Sequence, residues 1–132
     1  MTPRRPNRYA FACTDLDVIV VDDETPFRTS LVEILRDDGH RVSDYGRASA
    51  VPLGRPSARP TALVADYGLA GLDGIELAEA FHDVHPDGVV VLLSPWRTTA
   101  LEARLAQHRF IRFLQKPVDY DVLHDVLHGV AR

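Results

Sequence analysis

Apolar residues recur along this chain in two alternating rhythms. Continuous aliphatic runs cover Asp17 to Asp22 (Asp-Val-Ile-Val-Val-Asp), Ala62 to Asp66 (Ala-Leu-Val-Ala-Asp) and Val89 to Ser94 (Val-Val-Val-Leu-Leu-Ser). Such runs suit strands buried on both faces, as in a parallel sheet. Two shorter, more mixed segments, Arg41 to Tyr45 and Phe110 to Gln115, read as further strands. Between the runs, apolar positions fall three and four residues apart, the spacing of one helical face. Phe27, Leu31, Ile34 and Leu35 form one such face, and Leu77, Ala80, Phe81 and Val84 another. Leu101 with Leu105, and Leu123 with Val126, Leu127 and Val130, mark two more.

Local signals punctuate these segments. Thr25 and Pro26 predict a cap and a first-turn proline, and Gly39 predicts the end of that helix. Asp73 with Glu76, and Thr99 with Glu102, have the spacing of capping boxes, and Asp119 or Tyr120 opens the last helix. Gly46 to Pro60 contains Pro52, Pro56 and Pro60, so at most a short helix fits near Ala48 to Leu53, with Pro52 at an end or kinking it. His85-Pro86-Asp87-Gly88 is a turn. Residues 1–16, with Pro3, Pro6, Arg4, Arg5 and Arg8 and no periodicity, read as a flexible tail before a single domain at 17–132. Five strands alternating with up to five helices predict an α/β fold of right-handed βαβ units, an open parallel sheet covered on both faces.

Composition narrows the classes. A chain of 132 residues, 45% apolar and 26% charged, is one ordinary globular domain. Its net charge of −4 gives no general nucleic-acid surface, so direct nucleic-acid binding is not expected. Cys13 is the only cysteine, which excludes an internal disulfide and a cysteine-based zinc site. No apolar run approaches the length of a membrane span, and no h-region follows the N-terminal arginines, so a cytoplasmic location is the expectation. Of the 15 basic residues only Lys116 is a lysine.

Chemistry converges on one edge. Ligands of open α/β sheets bind outside the carboxyl ends of the strands. There the predicted strands end in Asp22-Asp23, Asp66, Ser94 and Lys116. Two carboxylates about 4 Å apart repel by roughly 4 kcal/mol at an effective dielectric near 20. Three together call for a cation, and hard oxygen ligands favour Mg²⁺ or Ca²⁺, with Mg²⁺ the better match to a small, partly hydrated shell shared with phosphate. Lys116 can pair with Asp66 and then with a phosphoryl oxygen, to which Ser94 can also donate.

On these residues the sequence resembles the receiver domain of bacterial two-component response regulators, the CheY-like family. The matching stretches are Val21-Asp22-Asp23-Glu24, Asp66 with Gly71-Leu72-Asp73-Gly74 behind it, Leu93-Ser94, and Phe113-Leu114-Gln115-Lys116-Pro117. The resemblance implies a flavodoxin-like (βα)5 sandwich with strand order 2-1-3-4-5. It implies that Asp66 accepts a phosphoryl group from a histidine kinase or phosphotransfer protein, the chain catalysing only its own modification. It further implies that Asp23, Asp66 and the Gly68 carbonyl bind Mg²⁺ directly, Asp22 acting through water. Lys116 would hold a phosphoryl oxygen ahead of a cis bond to Pro117. Ser94 and Phe113 would form the switch, and the face of the fourth helix, fifth strand and fifth helix would respond, also serving as a homodimer face.

Two positions depart from the family pattern. Ala70 replaces a usual proline, and Pro95 follows Ser94 where a small residue normally offers an N–H to the phosphoryl group. Proline has no such N–H and restricts Ser94 to extended conformations. Trp96 is large enough to roof the site or to contact a partner. His124 and His128, like His82 and His85, fit exposed helix faces better than metal ligands, and Phe113 fits a core position as well as a switch. A pseudo-receiver, the same fold used as a phosphorylation-independent interaction module, is the competing function. A haloacid-dehalogenase-type phosphatase is rejected because Asp22 and Asp23 are adjacent, and a flavin carrier because no phosphate loop follows the first strand.

Overall fold

The computed structural model describes residues 15–54, 60–69 and 73–129. Five strands, β1 (Asp17–Val21), β2 (Arg41–Tyr45), β3 (Thr61–Asp66), β4 (Val89–Ser94) and β5 (Ile111–Gln115), form one parallel sheet in the order β2-β1-β3-β4-β5. Helices α1 (Thr25–Asp37), α2 (Gly74–Val84) and α3 (Thr99–Ala106) lie in the connections between strands, and α4 (Tyr120–Leu127) follows β5. This is the flavodoxin-like architecture that the sequence implies, with one reduction. Among the described residues, the connection after β2 holds only a 3-10 turn at Ala48–Ala50. Pro52, two residues past that turn, prevents its extension. The elements α3, β5 and α4 stand here where the resemblance puts the fourth helix, fifth strand and fifth helix.

Alternation along each strand divides the core into two layers. Val18, Val20, Ala62, Val64, Val91 and Leu93 face α1 and α4, where Leu31, Leu35, Leu123 and Leu127 meet them. Leu63, Ala65, Val90 and Leu92 face α2 and α3 and pack on Ile75, Leu77, Phe81 and Leu101. The central strands β3 and β4 are buried along nearly their whole length, as their unbroken apolar runs require. Leu16, expected to end the tail, is also buried in the first layer.

Several local expectations are corrected. Glu24, not Thr25, precedes the first turn of α1, and no side-chain cap forms there. Thr98, not Thr99, caps α3, its Oγ1 accepting from Leu101 N–H at 3.1 Å, while Glu102 pairs with Arg97. Val84 is exposed at the last turn of α2, and Ile75 and Ala78 take the buried places instead. His124 is buried and His128 half-buried, because α4 turns their side toward the start of β2. His82 stacks on Phe110 at 4.0 Å, and His85 lies against Phe81, so neither stands on a bare surface. Two caps stand as expected: Asp73 Oδ1 accepts from Glu76 N–H, and Asp119 Oδ1 from Asp121 and Val122 N–H. Gly39 ends α1 with φ +98°, a conformation that favours glycine. Residues 1–14, Ala70, Gly71 and Val130 lie outside the described residues.

Candidate functional site

Strand register brings the polar ends together. Val21 pairs with Ala65, so the next step along β1 and β3 sets Asp22 beside Asp66, and Ser94 pairs with Gln115 next to Lys116. Asp22 is 1% exposed, Asp66 8% and Ser94 4%, while Asp23 is exposed. Carboxylate oxygens of Asp22, Asp23 and Asp66 lie within 4.8 Å of one another. Lys116 Nζ is 2.9 Å from Asp22 Oδ2, 3.4 Å from Asp66 Oδ1 and 3.9 Å from Glu24 Oε1. The lysine thus pairs with Asp66 as expected, and still more closely with Asp22. The Lys116–Pro117 peptide is cis, as the resemblance implies.

The supporting groups fix these side chains. Asp22 Oδ1 accepts from Glu24 N–H at 2.8 Å, and Arg28 donates to the Asp22 carbonyl at 2.6 Å and to Asp44 at 3.0 Å. The Lys116 ammonium lies 4.3 Å from the Phe27 ring centroid, within cation–π reach. Gly74 begins α2 so close to β3 that a Cβ there would stand 2.8 Å from the Asp66 carbonyl oxygen and from Tyr67 Cα. A glycine at this position lets α2 start against the strand end that carries Asp66.

Electrostatics follow from burial and neighbours. Burial, aided by the Asp22 and Asp23 charges, pushes the Asp66 carboxyl above its ordinary range despite Lys116. For Lys116 burial works downward, but bonding to Asp22 and the Asp22 and Asp66 charges outweigh it and hold the ammonium above its ordinary value. One ammonium cannot neutralise three carboxylates. An all-oxygen donor set with surplus negative charge fits a hard divalent cation.

The neighbouring corner is tightly bonded. Ser94 Oγ accepts from Trp96 N–H at 3.1 Å, Ser94 O from Lys116 N–H at 2.9 Å, and Pro95 O from Gln115 Nε2 at 3.1 Å. Trp96 is 71% exposed and does not roof the site. Phe113 is half-buried, with the Arg97 guanidinium 5.1 Å from its ring centroid. Together with Leu105, Ile111, Val122 and Val126 it lines a groove of about 490 Å³ between α3 and α4.

Two residues that sequence reasoning missed join α3 to the loop behind Asp66. Arg104 donates to Asp73 Oδ2 at 2.8 Å and to Tyr67 Oη at 3.1 Å. Burial works to raise the Asp73 carboxyl, but the bonds from Arg104 and Glu76 N–H outweigh it and hold it below its ordinary value. An arginine on a short helix carries no sequence signal for such a role. Tyr67, adjacent to Asp66, could only have been flagged by its position.

Residues 18–128 match the model of the response regulator receiver domain, and the chain belongs to that family, the receivers of two-component systems. It is 25% identical over 118 residues to the transcriptional regulatory protein FixJ of Rhizobium meliloti, covering 89% of this chain and 58% of FixJ. It is 24% identical over 110 residues to the DNA-binding transcriptional regulator NtrC of Azospirillum brasilense, covering 83% of this chain and 23% of NtrC. The chain therefore spans less than two thirds of these relatives' own length. Among solved structures, Vibrio cholerae chemotaxis protein CheY4 shares the fold with a TM-score of 0.75 at 17% identity, covering 89% of this chain and all (100%) of that one. The response regulator StyR matches with a TM-score of 0.73 at 28% identity, covering 88% and 59%. No helix among the described residues is long and apolar enough to cross a membrane.

Proposed function

We propose that the chain takes a phosphoryl group on Asp66 from the phosphohistidine of a histidine kinase or phosphotransfer protein. One observation carries this reading: three carboxylates converge within 4.8 Å around Lys116 at the carboxyl edge of the sheet. An Asp66 carboxylate oxygen forms the new P–O bond as the P–N bond to the donor imidazole breaks, and the departing imidazole takes up a proton. Lys116 holds a phosphoryl oxygen and offsets charge that spreads over the group in the transition state. Asp22, Asp23, Asp66 and the Gly68 carbonyl would hold Mg²⁺, which supplies further neutralisation when bound. Asp22, already bonded to Lys116 and to Glu24 N–H, keeps the lysine aimed at the acceptor.

Ser94 and Phe113 form the responsive pair. Ser94 Oγ moves toward the phosphoryl group, and Phe113 turns inward, leaving the Arg97 guanidinium without its ring platform. The face of α3, β5 and α4 changes shape as its population shifts, and that face serves a partner or a second copy of the chain. The domain runs from about residue 17 to the C-terminus. Pro95 and the Trp96 N–H bond to Ser94 favour one competing reading, a pseudo-receiver that binds partners without phosphorylation.

Beryllofluoride with Mg²⁺ separates the two, read by Trp96 fluorescence. A saturable, Mg²⁺-dependent change that is lost in Asp66→Asn is the expected result. No Mg²⁺ binding and no acyl phosphate in the wild type would leave only the pseudo-receiver.

A further inference from the structure

At the amino ends of the strands, far along the sheet from the carboxylates, three imidazoles form a row that phosphoryl chemistry does not use. The His40 and His128 ring centroids are 5.1 Å apart, and those of His128 and His124 are 4.3 Å apart. His40 lies just before β2 and is 5% exposed, while His124, in the last turn of α4, is 8% exposed.

Hydrogen bonding fixes each tautomer. Leu16 N–H donates to His40 Nδ1 at 3.1 Å, so that nitrogen is unprotonated and the ring proton is on Nε2. His40 Nε2 is buried with no hydrogen-bond partner among the described residues. His124 Nδ1 lies 2.9 Å from Asp38 Oδ2, and His128 Nδ1 lies 2.8 Å from the His124 carbonyl. Carboxylates and carbonyls only accept, so both of these Nδ1 atoms carry protons. The row joins the residue leading into β1, the end of α1, the start of β2 and the last turn of α4.

We propose that the row is a proton-operated latch: protonation of His40 releases the Leu16 amide and loosens the last turn of α4 from β2. An imidazolium cannot accept at Nδ1, so the Leu16 bond is lost with the first proton. The new charge arrives beside His128 in a buried place. Asp38, just after α1, and Asp15, ahead of β1, favour that charge, whereas His124 of α4 and His128 just after it oppose it. Arg41, the residue after His40 along the chain, pairs with Asp17 at 3.8 Å. Burial, followed by the neighbouring His128, holds the His40 imidazole below its ordinary value, so the latch opens only on acidification. Because α4 is one wall of the groove that contains Phe113, opening the latch also alters that face.

Amide hydrogen exchange over residues 15–17 and 120–129 tests the latch, measured near pH 7.5 and near pH 5.5 and corrected for intrinsic rates. All chains carry Asp66→Asn, which removes the acceptor carboxylate's own titration. Acidification should speed exchange by roughly three- to tenfold, the effect of losing about one buried hydrogen bond. His40→Asn keeps an acceptor near Leu16 and takes no proton, so its exchange should be insensitive to this change. The Leu16 amide resonance of the chain that retains His40 should also move with the titration of His40. An acid response that persists in His40→Asn, or a Leu16 amide indifferent to His40 titration, overturns the proposal.

Discussion

Asp66 bears the cost of the arrangement that makes it useful. Its carboxyl is buried and faces two more carboxylates, so ionisation is unfavourable in the folded state. Because its folded value lies above its unfolded one, stability falls as pH rises from the ordinary carboxylate value through the raised one. Asp66→Asn should therefore melt higher than the wild type at neutral pH without metal, by the few degrees that about 1 kcal/mol produces in a domain of this size. A lower melting temperature would contradict a crowded acidic site. Pro95 sets the second residue-scale test. Ser94 is held by the Trp96 N–H, and Pro95 has no amide to offer an incoming phosphoryl group. Pro95→Ala should lengthen the lifetime of the acyl phosphate severalfold and enlarge the response of the α3-β5-α4 face. Equal lifetimes and responses in the two proteins would show that this corner tolerates proline at no cost.

Among the four α-helices, α3 is the one held most lightly. It buries a single side chain, Leu101, and is otherwise tied by Arg97 with Glu102 and by Arg104 with Asp73 and Tyr67. Half-exposed ion pairs are worth roughly 0.2–1 kcal/mol and are screened by salt. Arg104→Ala should speed amide exchange across Thr99–Ala106 severalfold at low salt, with a smaller difference at high salt; unchanged exchange would mean that Leu101 alone seats the helix. This element also marks where the sequence stopped being legible. Asp22, Asp66 and Ser94 could be read because each ends an apolar run, and Lys116 because it is the single lysine and follows a strand-like segment, so parallel register must collect all four at one edge. The weak Gly46 to Pro60 segment was readable too, through its prolines. Arg104 and Phe27 touch the site through helix placement, which no local pattern encodes. The histidines of α4 were misread because which helix face meets β2 is decided by packing, not by spacing.

For the molecule as a whole, the two ends of the sheet carry opposite problems. Excess negative charge gathers at the carboxyl edge, and at the amino edge stands a row of imidazoles in which buried His40 resists protonation. A ligand that binds only the folded state raises stability by mass action, by about 2.7 kcal/mol at a hundredfold excess over its dissociation constant. Mg²⁺ should accordingly raise the melting temperature of the wild type and should do little for Asp66→Asn. Equal shifts in both proteins would place metal binding elsewhere. The most direct test of the acceptor assignment is chemical. The protein is incubated with acetyl phosphate and Mg²⁺, digested at low pH and mapped by mass spectrometry. The account predicts one Mg²⁺-dependent phosphoryl group, on the peptide carrying Asp66 and absent from Asp66→Asn. A wild-type protein that stays unmodified, or carries the group on another residue, would contradict it.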